Sequence, residues 1–184
     1  NMDQKLIKRE AEGKIIRTGI VGAGQMGRGM VTQMALMKGI MPAIVSDIKM
    51  ENVINAFHYA GIKDEDIAVA KTLADANKYM EMGKYVATEN SDLIAQADLV
   101  ECAIDVTGVP EVGVKIATDA LNNHKHVVMM DVETDVVIGS YLKKLAEKNN
   151  VIYTGSAGDE PGAVMELYCF AKAMGMQVKV MGKG

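Results

Sequence analysis

The 184-residue chain has no tryptophan, only two cysteines and only three prolines. Cys102 and Cys169 each lie in an apolar segment without the paired spacing of a zinc or redox motif, so both are read as reduced core residues. His58, His124 and His126 have no acidic or cysteine partners at metal-ligand spacing, and no metal site is expected. Charge of one sign is also missing. With 20 basic and 24 acidic residues scattered along the chain and a net charge of -4, no basic stripe exists to hold a nucleic-acid backbone or an anionic membrane surface.

Long apolar runs are absent too. No window reaches the roughly 18 to 20 uninterrupted apolar residues of a membrane span. Asp3, Lys5, Lys8, Arg9, Glu10 and Glu12 break any signal-peptide pattern at the start. A soluble, cytoplasmic protein is expected. Asn1 ahead of Met2, and an end just after the apolar run closing at Met181, read as a portion of a longer protein.

What is present is a large apolar fraction, 49%, enough to fill the core of one domain spanning 1–184. The fifteen methionines are read mainly as core filler, because the thioether side chain adapts to irregular gaps.

Apolar segments alternate with helical patterns. Strands are expected at 15–21, 43–45, 99–104, 126–130, 151–153 and 177–180. Helices are expected at 3–13, 26–38, 52–59, 91–96, 110–122, 135–148 and 161–174. The polar stretch 61–91 is too long for an ordinary loop and reads as an insertion, with a helix near 71–82 and an extended piece near 84–88. Strands separated by helices of this length imply right-handed crossovers and a parallel sheet. The fold class is therefore α/β, a doubly wound parallel sheet of the Rossmann type.

One motif stands out against this background. Gly22-Ala23-Gly24-Gln25-Met26-Gly27 follows a hydrophobic strand, opens a helix and precedes an acidic residue, Asp47, at the end of the next strand. Gly22 permits a tight turn, Gly24 admits a pyrophosphate close to the backbone, and Gly27 lets the helix pack near the strand. The N–H groups at Gln25 and Met26 attract negative charge. Asp47 would accept hydrogen bonds from an adenosine ribose and repel a 2′-phosphate, which favours NAD; Lys49 offsets part of that repulsion and keeps NADP open.

Farther along, Asp105-Val106-Thr107-Gly108-Val109-Pro110 leaves a strand by a tight exit, and Thr107 and Gly108 are expected to face the nicotinamide ribose. Glu133, Asp159 and Glu160 follow later strands at the same edge and are the candidate acid–base or substrate-binding carboxylates. Asp159-Glu160-Pro161 reads equally as a helix N-cap, a role that needs no substrate.

With these motifs, together with Asp131-Val132-Glu133-Thr134-Asp135 and Gly158-Asp159-Glu160-Pro161-Gly162, the chain resembles the homoserine-dehydrogenase-like oxidoreductases. It is most similar to the branch that holds the SAF-domain and deoxyxylulose-phosphate-reductoisomerase-like (DXR-like) enzymes. The resemblance implies a nicotinamide-binding domain followed by catalytic, dimerising and SAF-type portions, and a homo-oligomeric full-length form. Homoserine dehydrogenases carry a lysine where this chain reads Asp131-Val132-Glu133, which argues against homoserine as substrate. The expected activity is hydride transfer between a nicotinamide and a small polar carbonyl or hydroxyl compound, phosphorylated or not. A dinucleotide-binding sensor without chemistry, or a reductoisomerase that recycles its nicotinamide, are the alternatives.

Overall fold

In a computed structural model, described here for residues 1–156 and 160–182, seven parallel strands form one sheet in the order β3-β4-β2-β1-β5-β6-β7. Along the chain the elements are α1 (Met2–Ala11), β1 (Ile16–Val21), α2 (Gln25–Leu36), β2 (Ile40–Ser46) and α3 (Met50–Tyr59). A 3₁₀ turn (Asp64–Asp66) leads to β3 (Ile67–Val69), α4 (Leu73–Glu81), β4 (Tyr85–Thr88) and α5 (Asp92–Gln96). Then come β5 (Cys102–Asp105), α6 (Pro110–Asn122), β6 (His126–Met129), α7 (Val132–Lys148), β7 (Tyr153–Gly155) and α8 (Glu160–Ala173). The doubly wound α/β reading is what the chain adopts.

Successive strand residues point to opposite faces, and both faces are apolar, as a parallel sheet covered by helices requires. Ile20, Val45, Ala87 and Ile104 join Val31 of α2 and Val53 and Phe57 of α3 in one core. Their neighbours Val21, Ile44, Val86 and Ala103 join Met80, Ile94, Ile116 and Leu142 of α4, α5, α6 and α7 in the other. Gly19 of β1 has no room for a Cβ because Ile94 of α5 lies against it, so α5 seats directly on the central strand.

Several expectations are corrected. The stretch 61–91 is not an insertion outside the sheet. It supplies β3 at the edge and β4 inside the sheet, where β4 pairs with β2 through Ile44↔Val86 and Ser46↔Thr88. No strand forms at 177–180: that segment pairs with nothing among the described residues despite its alternating valines. The helix expected at 135–148 begins at Val132, because the Asp131 side chain accepts the Thr134 N–H and starts it earlier. The strand expected at 99–104 runs instead from Cys102 to Asp105.

The core readings of cysteine and methionine also need revision. Cys169 is exposed on α8, while Cys102 is half-buried with its thiol pushed up to about 11 by burial. Met80 and Met129 are core residues, whereas Met26, Met165, Met174 and Met176 lie on the surface. No helix among the described residues is long and apolar enough to cross a membrane.

Candidate functional site

The central strand places the glycine loop. Val21, the last residue of β1, is in register with Ser46 of β2 on one side and Asp105 of β5 on the other, so three strand ends stand level. From that line the chain leaves β1 into α2 on one face of the sheet and leaves β5 into α6 on the opposite face. A crevice opens between the two exits, the position where open α/β sheets bind ligands.

Gly22 sits in the left-handed region at φ +101°, with the Val106 backbone 3.2 Å from where a Cβ would project. Its N–H donates to the Ser46 carbonyl at 2.8 Å, tying the loop to β2. Gly27 is packed so closely on the Gly22 carbonyl that no side chain fits, which draws the start of α2 down onto the loop. Beside Gly24, by contrast, a Cβ would meet nothing, so the backbone there is open to an approaching group.

The first intrahelical donor of α2 is the Arg28 N–H, which reaches the Gly24 carbonyl at 2.9 Å. The N–H groups of Gln25, Met26 and Gly27 precede it at the positive end of the helix dipole, and no acidic side chain in the first turn competes for them.

A groove of about 290 Å³ runs along this edge. Gly22 and Gly24 line its middle, Ser46, Asp47 and Ile48 one end, and Val106, Thr107, Val109 and Val112 the other; Glu89 and Ser91, just past β4, complete it. Asp47 holds three donors: the Ala23 N–H on Oδ2 at 2.8 Å, and the Lys49 N–H at 3.0 Å and the Asn52 side-chain amide at 2.9 Å on Oδ1. The carboxylate thus fixes the glycine loop to the end of β2. Its Oδ2 retains acceptor capacity, since a carboxylate oxygen accepts two hydrogen bonds.

At the other end Thr107 Oγ1 accepts the Val109 N–H at 3.2 Å, and the Thr107 side chain also hydrogen-bonds the Asp105 carboxyl behind it. Gly108 follows at φ +64° and is exposed, which turns the chain sharply into α6. Ser46 Oγ is buried without a hydrogen-bond partner at the wall of the groove. An orphaned hydroxyl, an uncovered Gly24 and unpaired N–H groups at a helix start are what a dinucleotide with a bridging pyrophosphate would satisfy.

The candidate residues thus divide. Gly22, Gly24, Asp47 and Thr107 line the groove together, and Gly27 shapes it from beneath. Gln25 and Met26 are exposed at the helix start and offer backbone rather than side chain. Glu133 is exposed in the first turn of α7 and does not line the groove. Asp159 lies outside the described residues, as does the side chain of Glu160, whose backbone opens α8.

Sequence reasoning missed Ser46, Glu89, Ser91 and Asp105. Asp105 ends β5 with 1% of its surface exposed, next to the equally hidden Asp131. The available signal was position: each of the four stands at or just beyond the carboxyl end of a strand.

Residues 158–184 match a family model described as oxidoreductase DRL, catalytic domain. No curated protein matches the sequence. Among solved structures, the chain is similar to scyllo-inositol dehydrogenase from Lactobacillus casei with bound NAD(H) and scyllo-inositol. That likeness has 16% identity and a TM-score of 0.57, and it covers 86% of this chain and 42% of that one.

A homoserine dehydrogenase from Thiobacillus denitrificans is 17% identical with a TM-score of 0.56, over 78% of this chain and 30% of the other. A probable dehydrogenase from Thermotoga maritima is 11% identical with a TM-score of 0.63, over 87% and 41%. These likenesses establish the fold, and the chain spans less than half the length of each of the three structures.

Proposed function

We propose that this chain is the cofactor-binding part of a nicotinamide-dependent oxidoreductase, acting on a carbonyl or hydroxyl group of a small polar substrate, phosphorylated or not. The observation that carries the reading is the open Gly24 backbone at the start of α2, in a groove bounded by Asp47 at one end and Thr107 at the other. The likeness to structures named as dehydrogenases, one with NAD(H) bound, and the match of residues 158–184 to an oxidoreductase catalytic domain both support it.

In this reading the N–H groups of Gln25, Met26 and Gly27 hold the pyrophosphate. Asp47 accepts the adenosine ribose hydroxyls through its spare Oδ2 capacity, and the Thr107 turn lies against the second ribose. Bound there, the nicotinamide supplies the hydride chemistry. The protein's part is to fix the cofactor by both ends so that one face of the ring is presented to substrate. NAD is the preferred form because a 2′-phosphate beside Asp47 would meet a fixed negative charge. A homo-oligomeric full-length form belongs to the same proposal.

One observation favours a second reading, a dinucleotide-binding module with no chemistry of its own. The titratable residues lining the groove among the described residues are Asp47 and Glu89, with no lysine or histidine to move a proton at the nicotinamide end. Titration of the chain with NADH and NADPH, followed by nicotinamide fluorescence, tests the binding claim shared by both. Turnover of phosphorylated aldehydes and ketones separates them: oxidation of NADH supports the oxidoreductase, and tight binding with no turnover supports the module.

A further inference from the structure

The end of β5 holds a buried carboxyl that the cofactor-binding reading leaves unused. Asp105 is 1% exposed, and its Oδ1 accepts the Thr107 N–H at 3.0 Å. Its Oδ2 has no hydrogen-bond partner. That oxygen lies over Gly113 of α6, where a Cβ would come within 2.5 Å of both Asp105 Oδ2 and Thr134 Oγ1. Both oxygens therefore border the space that a side chain at position 113 would fill.

The charged and titratable surroundings are all acidic. From the start of α7 comes Asp131, 2% exposed, whose two oxygens take the Thr134 N–H at 3.2 Å and the Thr134 hydroxyl at 2.8 Å. From the next turn comes Asp135, which accepts the Tyr153 hydroxyl of β7 at 2.7 Å. The neighbour from α6 is Gly113, and the chain beyond β5 continues through Val106 and Thr107, none of which is charged. No cation pairs with Asp105 among the described residues.

A buried carboxylate with an unpaired oxygen, no cation and a second carboxylate nearby is disfavoured as an ion. Burial raises the Asp105 carboxyl above its ordinary range and acts in the same direction, outweighing the Thr107 hydrogen bonds, which favour the ion.

We propose that Asp105 works as a neutral carboxylic acid, a positioning residue that holds the Thr107 turn in the shape that receives the ribose at the nicotinamide end of the groove. The inference rests on the cofactor-binding reading. Through Oδ1 the acid fixes the Thr107 N–H, and Thr107 in turn fixes the Val109 N–H, so this groove-lining turn is set by a carboxyl that solvent does not reach. Ionisation would add a negative charge beside an anionic ligand and place it in the interior without a cation. The turn would then shift to hydrate it. Dinucleotide affinity should consequently carry a pH dependence that disappears when Asp105 can no longer ionise.

The test is the dissociation constant of NADH measured between pH 5 and pH 9 for the wild-type chain and for Asp105→Asn, which keeps the acceptor to Thr107 and cannot ionise. Expected is a wild-type affinity that weakens by about tenfold as Asp105 ionises, and a variant within about twofold of the low-pH wild type throughout. A titration of the Asp105 carboxyl carbon by nuclear magnetic resonance in the wild type gives a readout independent of how the variant folds.

A carboxyl carbon already in the ionised form at pH 6 overturns the proposal, and so does a flat wild-type binding profile. An Asp105→Asn profile as steep as that of the wild type overturns it as well. Absence of binding at every pH removes the cofactor reading and this inference with it, while binding with a flat profile removes the inference alone.

Discussion

The Asp47 carboxylate accepts the Ala23 backbone N–H at 2.8 Å, joining the end of β2 to the middle of the glycine loop across 24 positions of sequence. The residue that marks the ribose end of the groove is thus also a brace for the loop beneath the pyrophosphate, and the two roles can be separated by experiment.

Replacing Asp47 by alanine removes an acceptor from the Ala23 N–H, the Lys49 N–H and the Asn52 amide. The half-buried site should cost about 1 to 2 kcal/mol of stability, read by chemical denaturation. NADH binding should weaken at least about tenfold, and the preference for NADH over NADPH should shrink, because the fixed charge that opposes a 2′-phosphate is gone. Unchanged NADH and NADPH affinities would remove Asp47 from the site.

Two glycines two positions apart in α2, and so on different sides of the helix, should respond in opposite senses. Gly27→Ala drives a methyl group into the Gly22 carbonyl and should destabilise the fold by about 1 to 3 kcal/mol while abolishing dinucleotide binding. Gly29→Ala meets open space in the same helix and should leave binding intact, with a stability gain of about 0.5 to 1 kcal/mol. Thermal melts and NADH titrations of the pair check both halves. Equal behaviour of the two variants would contradict the packing described for Gly27.

Lys125, 6% exposed, donates its ammonium to the Ala97 carbonyl at 2.6 Å and the Val100 carbonyl at 2.9 Å, clamping the turn between α5 and β5 to the strand entry of β6. Lys125→Met fills a similar volume but leaves two carbonyls without a donor, which should cost about 2 to 3 kcal/mol in denaturant titrations. Dinucleotide affinity should not change, because the clamp lies at the amino-terminal edge of the sheet, opposite the groove.

Burial raises the Asp105 carboxyl, Asp131 adds to that effect, and the Thr107 hydrogen bonds oppose it. A folded state that holds the proton more tightly than the unfolded chain loses stability as pH climbs from the ordinary carboxyl value of 3.8 through the raised one. Unfolding measured at pH 5 and pH 8 should show this loss in the wild type and a smaller one in Asp105→Asn. Identical losses in both proteins would show that other groups govern the pH dependence.

Local signals were legible where the chemistry is local. The Gly22 to Gly27 loop, the Pro110 start of α6 and the strands at 16–21 and 126–129 could be read because turn, cap and periodicity lie within a few residues of one another. The three residues Ile67–Val69 carry too little pattern to mark a strand, so β3 and the sheet role of β4 were hidden in a polar stretch.

The reverse error came from Gln177 to Val180, whose alternation resembles a strand although no neighbour pairs with it among the described residues. Ser46, Glu89 and Ser91 reach the groove only through the pairing of β2 with β4, a long-range register that periodicity does not encode. Asp105 was passed over because the strand was read as ending at Ile104, one residue short of the buried acid.

The most direct test of the central claim maps backbone amides by nuclear magnetic resonance as NAD is added to the chain. The account predicts the largest shifts at Gly24, Gln25, Met26 and Gly27, with a second group at Thr107 and Gly108. Saturating NAD that leaves these amides in place, or that moves another surface instead, would contradict it.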